Sequence, residues 1–106
     1  MTTTGMTSIR RGIVFLTATW SGGAQWAYAK LVSFLEQHDV PSEQLHVIDV
    51  DRHTELFDLP ELAGKIHGWG EALVVKNGEI VFVTPLGKDQ HLILEHCNEL
   101  LRIYAE

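Results

Sequence analysis

The chain has one cysteine, Cys97, in 106 residues. An intrachain disulfide and an internal dithiol redox couple are therefore both excluded. No apolar run approaches the ~20 residues that cross a bilayer. The opening MTTTGMTSIRRG lacks the apolar stretch of a secretory signal, so the cytoplasm is the expected compartment. Basic residues are also scarce: 8 against 14 acidic ones give a net charge of -6, and the basic run is no longer than Arg10-Arg11. That balance argues against nucleic acid or an anionic membrane as partner. Six histidines are present, yet neither Asp49, Asp51 and His53 nor His91 and Glu95 has the third or fourth ligand of a dedicated site. No metal and no cofactor is expected.

The chain does have enough apolar residues, 45 % of the total, to build one core without metal or disulfide staples. Residues 1–11, rich in threonine, read as a flexible leader, and 12–106 as a single domain. GIVFLTA, from Gly12 to Ala18, is a nearly continuous apolar run that suits a strand buried on both faces. After Ser21-Gly22-Gly23, apolar positions recur at helical spacing through Leu31, Phe34 and Leu35 to about Gln37. Trp26 is expected in the core or on the half-exposed side of that helix. LHVIDV, Leu45 to Val50, reads as a second strand, parallel to the first because a helix connects them.

The stretch from Asp51 to Gly70 is helical in composition but interrupted at Pro60. A broken helix, or a turn into a short helix near Glu61 to Lys65, is expected there. ALVVKNGEIVFV holds two β-rich runs joined by Asn77-Gly78, a dipeptide that accepts the positive φ angles of a type I′ turn. A final amphipathic helix, capped near Asp89, places Ile93, Cys97, Leu100 and Tyr104 on one stripe, with Leu94 and Leu101 beside it. A thiol on that stripe is a small hydrophobe. The expected order is β-α-β-α-β-β-α around a mixed central sheet flanked by helices, an α/β fold.

Three patches resemble the thioredoxin family. ATWSGGAQ is similar to the active-site segment in which Trp precedes Cys-Gly-Pro-Cys-Lys; IHGWGE is similar to Ile-Arg-Gly-Ile-Pro-Thr ahead of the hairpin; KNGEIV is similar to the hairpin turn. The resemblance spans about Gly12 to Tyr104. It implies a thioredoxin-like fold and places Trp20 at the family's active-site tryptophan. It also puts Ser21 at the nucleophilic cysteine, Gly22 and Gly23 between, and Ala24 at the resolving cysteine. Phe15 falls where the family has a buried acid, and Gly70 where it has a cis-proline. A thiolate is stabilised by a helix N-terminus and resolved by its partner thiol; a serine hydroxyl is not ionised by that field and alanine resolves nothing. The resemblance thus implies a redox-inactive member.

With no catalytic residue assigned, the surface around the former active-site turn is the candidate binding site: Trp20, Ser21, Gly22, Gly23, Ala24, Trp69, Gly70 and Glu71. Trp20 and Trp69 either flank the turn as an apolar platform or seal the sheet edge. Ser21 suits a helix N-cap. A non-proline cis bond costs about 2.5–4 kcal/mol, which argues against a cis bond before Gly70. Glu71 sets a carboxylate at the groove, to cap or to repel a ligand. The leading expectation is a protein-interaction or chaperone-type module for a protein or peptide. Two others are open: an enzyme of glutathione-using type that holds a thiol or anion at the helix N-terminus near Ser21, and a structural homodimer.

Overall fold

In the computed structural model, which describes residues 3–106, four strands form one mixed sheet in the order β2-β1-β3-β4. β1 (Arg11–Thr17) pairs in parallel with β2 (Leu45–Asp49) and antiparallel with β3 (Glu71–Lys76), which pairs antiparallel with β4 (Glu79–Thr84). The two interior strands are the most apolar. Gly12–Leu16 and Glu71–Val75 are buried throughout, as strands covered on both faces require.

Period-two alternation divides these residues between two half-cores. Ile13, Phe15, Ala72 and Val74 meet helix α1 (Gly22–Gln37) through Ala27, Leu31 and Phe34, and helix α2 (Ile93–Ala105) through Ile93, Cys97, Leu100 and Tyr104. On the opposite face Val14, Leu16, Leu73 and Val75 pack under Met6, Leu56, Leu62 and Ile66. Each large side chain fully buried this way contributes roughly 1.5–3 kcal/mol. The expected stripe of α2 is the buried one, while Leu94 stays exposed. Burial pushes the Cys97 thiol up to about 11, so at neutral pH it is a protonated, apolar filler.

The hairpin turn has the conformation its sequence demands. Asn77 and Gly78 have φ of 53° and 79°, both positive as a type I′ turn requires. Their amides donate to the carbonyls of Arg10 and Ile9, each at 2.8 Å.

Three boundaries differ from the sequence expectation. Of the stretch read as a leader, residues 1 and 2 lie outside the described residues, while Thr3–Ser8 form a 3-10 helix. Met6 in that helix is buried, and Arg11 already belongs to β1. The hairpin-turn amides supply the tether that composition did not reveal. Second, no α-helix forms between β2 and β3. A 3-10 helix, Thr54–Asp58, and successive turns through Lys65 take its place, giving β-α-β-β-β-α for the regular elements. Pro60 has no amide to donate, and Gly64 at φ 72° takes the left-handed conformation, so the chain covers the sheet as a folded loop. Third, Asp89 caps a short 3-10 turn, Gln90–Leu92, without a side-chain bond, and α2 starts only at Ile93.

Candidate functional site

Three segments meet at one end of the sheet: the turn from Ala18 to Ala24, the loop from Ile66 to Gly70, and the bend from Thr84 to Lys88. In the first, the Ser21 hydroxyl accepts the Ala24 amide hydrogen at 3.1 Å while its own amide donates to Ala18 at 3.0 Å. Ser21 is thus the N-cap of α1, and its oxygen is engaged by the helix that it starts. Gly22 and Gly23 form the first turn; a Cβ at Gly22 would meet open space, and one at Gly23 only the Ser21 Oγ at 3.7 Å.

Beneath the turn, Phe15 and Gly70 fit together. Gly70 has φ 92°, and a Cβ there would lie 2.9 Å from Phe15 Cζ and 3.1 Å from Ala24 Cα. The aromatic ring at position 15 has its room because position 70 has no side chain. No peptide bond among the described residues is cis, so the bond before Gly70 is trans. The Gly70 carbonyl accepts the Gly87 amide hydrogen at 3.1 Å, and Gly87 lies so close to the Trp69 carbonyl that any Cβ would overlap it. The backbone at 69–70 is covered by the chain's own 84–88 bend.

The two tryptophans remain partly outside. Trp20 is 69 % exposed and Trp69 37 %. The Trp20 indole lies on Gly68, where a Cβ would be 2.5 Å from its Cη2. Trp69 takes the His67 ring at 4.6 Å and the Lys88 ammonium at 5.3 Å from its centroid. A cation over an indole face is attracted by the ring quadrupole. Trp26, by contrast, is half-buried against the α1–α2 half-core.

Glu71 does not stand at the surface. It is 1 % exposed, on the face of β3 shared with Leu73, and its Oε2 accepts the His67 amide hydrogen at 3.2 Å. Among the described residues Oε1 has no hydrogen-bond partner. Burial raises its pKa above the ordinary carboxyl value of 4.5, against the lowering effect of the amides of His67, Glu71 and Trp69. Its place is under the 66–70 loop, holding it from inside, so it is not on the surface that a ligand would meet.

The structure therefore leaves Trp20, Ser21, Gly22, Gly23 and Trp69 at least partly exposed, whereas Ala24 and Gly70, expected on the binding surface, are buried against each other beneath the turn, and Glu71 lies below them. It also adds residues that sequence reasoning missed. A cleft of about 290 Å³ opens beside Trp69, lined by Gly64, Lys65, His67, Val83, Pro85 and Lys88. These come from two separate stretches, 64–69 and 83–88, with no common spacing, so no local pattern announces them. No group of three or more His, Cys, Asp or Glu among the described residues is placed to hold a metal ion. Asp49 instead accepts the Asp51 amide hydrogen at 2.9 Å. No described helix is long and apolar enough to cross a membrane.

The architecture is thioredoxin-like. The chain is similar in structure to mitochondrial thioredoxin 3 from Saccharomyces cerevisiae, with a TM-score of 0.62 and 13 % identity over 92 % of this chain and 86 % of that one. It is similar to a Plasmodium falciparum thioredoxin, TM-score 0.59 and 17 % identity over 92 % and 88 % of the two chains. A Fasciola hepatica thioredoxin matches with TM-score 0.60 and 16 % identity over 86 % and 81 %. No protein-family model matches the chain. No curated protein matches it in sequence.

Two outcomes test this geometry. Replacing Gly70 by Pro, whose φ is fixed near −65°, destabilises the fold by ~2 kcal/mol or more, and Gly70→Ala by ~1–3 kcal/mol. Denaturant unfolding midpoints measure both, and unchanged midpoints would contradict the Phe15–Gly70 fit. For Glu71 the raised native pKa means that the folded state holds its proton longer than the unfolded chain does. Stability from this group is full below the ordinary value of 4.5 and is lost as pH rises through the raised native value. Glu71→Gln removes the loss, so its unfolding free energy gains on wild type as pH rises through that window. A difference that stays constant with pH would refute the assignment.

Proposed function

We propose that this protein is a redox-inactive thioredoxin-like domain that works as a protein-interaction module, using the surface around Trp20, the Ser21–Gly23 turn and Trp69. The observation that carries the reading is two exposed indoles, Trp20 at the start of a turn that has no thiol and Trp69 in the loop whose Gly68 lies against Trp20. Indoles supply large, rigid contact area with a polar N–H, and they are enriched at binding hot spots. The single thiol, Cys97, is buried between sheet and helices, and protonated. It has no second cysteine with which to exchange electrons.

Ser21 fits this reading better than a role in holding an external thiol, because its oxygen already caps α1. The recognition surface is made of side chains, because the backbone at Gly70 is already bonded to Gly87. A partner meets the Trp20 and Trp69 rings and the small residues between them. Flat contact with a folded or extended polypeptide suits such a face better than a deep substrate pocket.

The test compares partner recovery by wild type with Trp20→Ala, a substitution at a mostly exposed ring that leaves both half-cores intact. Loss of the recovered partners in a variant that melts like wild type is the expected result; undiminished recovery would remove the face from consideration. The companion assay is insulin reduction by dithiothreitol, which is expected to run no faster with the protein than without it. Acceleration would contradict redox inactivity.

A further inference from the structure

We propose that the cleft beside Trp69 and the groove along β4 together seat an extended acidic segment of the partner protein, with its carboxylates on Lys65 and Lys88. This rests on the interaction-module reading and names the partner's chemistry. The Trp69 cleft, about 290 Å³, shares Lys65 and Val83 with a second groove of about 200 Å³ that is lined by Glu61, Ile80, Val81 and Phe82. Lys65 and Val83 form a common wall, so the two spaces lie side by side along the 61–65 turns and β4 and offer adjacent subsites that together make an elongated channel. An extended chain fits a channel of that shape better than a compact small molecule does.

Consecutive residues 80–83 line the second groove, which is what a strand shows along its backbone edge, since either face alone would offer only alternate residues. β4 is a terminal strand of the sheet. Its ladder with β3 pairs Val74 with Phe82 and Val75 with Ile80, so Val81 is left outside the register with its side chain 49 % exposed. The groove thus has an apolar contact at Val81, and the cleft has others at Trp69, Val83 and Pro85.

The charge is the second observation. On a chain of net charge -6, the two lysines of the channel, unpaired with any carboxylate among the described residues as are Arg10, Arg11, Lys30 and Lys76, stand together on one apolar-lined cleft. Lys88 is held over the Trp69 ring, which fixes one cation next to the main apolar contact. Glu61 stands at the far side of Lys65 and repels a carboxylate there, so the charged part of the segment is directed toward the Trp69 end. A bare anion would use the lysines and leave Val81, Val83 and Pro85 unused. A segment that alternates acidic and apolar residues uses both.

Fluorescence anisotropy tests this with a labelled peptide of alternating glutamate and leucine, its counterpart with lysine for glutamate, and N-acetylglutamate as a competing small acid. The acidic peptide binds the wild type, more weakly as salt is raised; the lysine peptide and N-acetylglutamate do not compete. Lys65→Glu with Lys88→Glu weakens binding by about tenfold or more. Lys30→Glu with Arg10→Glu makes the same change in net charge outside the channel and leaves binding unchanged. No binding of the acidic peptide, equal loss in the two double variants, or displacement by N-acetylglutamate overturns the proposal. If natural partners are lost from Trp20→Ala but retained by the Lys65→Glu/Lys88→Glu variant, the channel is overturned while the wider interaction reading stands.

Discussion

The contact of the Phe15 ring with the bare backbone of Gly70, and of Gly70 with Ala24, is the constraint on which the candidate site depends. It joins three elements: the central strand β1, the loop that enters β3, and the first turn of α1. An aromatic ring under the turn needs a neighbour without a side chain, and a glycine at φ 92° is the residue that allows both the ring and the backbone path. Each accounts for the other. In the family that the sequence resembles, the corresponding places hold a buried acid and a proline. Here the space is filled by the Phe15 ring against the Gly70 and Ala24 backbone.

Closure below the turn has consequences above it. With Gly70 bonded to Gly87, the 66–70 loop is fixed between β1 and the 84–88 bend, and Glu71 takes the His67 amide from beneath. On the proposed reading, the loop's outward side chains do the recognising. Trp20 rests on Gly68, and Trp69 lies between His67 and Lys88. Fixed rings lose little conformational freedom when a partner arrives, which favours binding through preorganisation. The buried carboxyl costs stability at neutral pH, but it ties down the loop that carries Trp69.

Much of the fold was legible because it rests on local rules. The apolar run of β1 and the Asn77-Gly78 turn each appear where elementary patterning puts them, and Ser21 caps the helix that it precedes. The region after Asp51 was not legible in the same way. Its helix-forming composition is outweighed by Pro60 and by burial of Leu56, Leu62 and Ile66 against the sheet, a tertiary demand that no window of sequence displays. Of the candidate site, the sequence left open whether Trp20 and Trp69 are exposed or sealed; both rings are partly exposed, with Trp20 on Gly68 and Trp69 beside His67 and Lys88. Glu71 was misplaced because a carboxylate next to a glycine reads as exposed, yet its register opposite Leu16 puts it in the sheet's interior. Lys65, Val83 and Lys88 were invisible, since only the folded chain brings 61–69 against 83–88.

The most direct measurement is the nuclear Overhauser spectrum of the folded protein at Gly70. Close packing against Phe15 predicts strong cross-peaks between the Gly70 Hα protons and the Phe15 ring, with those protons shifted by the ring current. Absent cross-peaks and unshifted Gly70 protons in a folded sample would show that the space beneath the turn is open, and would contradict the account of the site as a closed, thiol-free recognition surface.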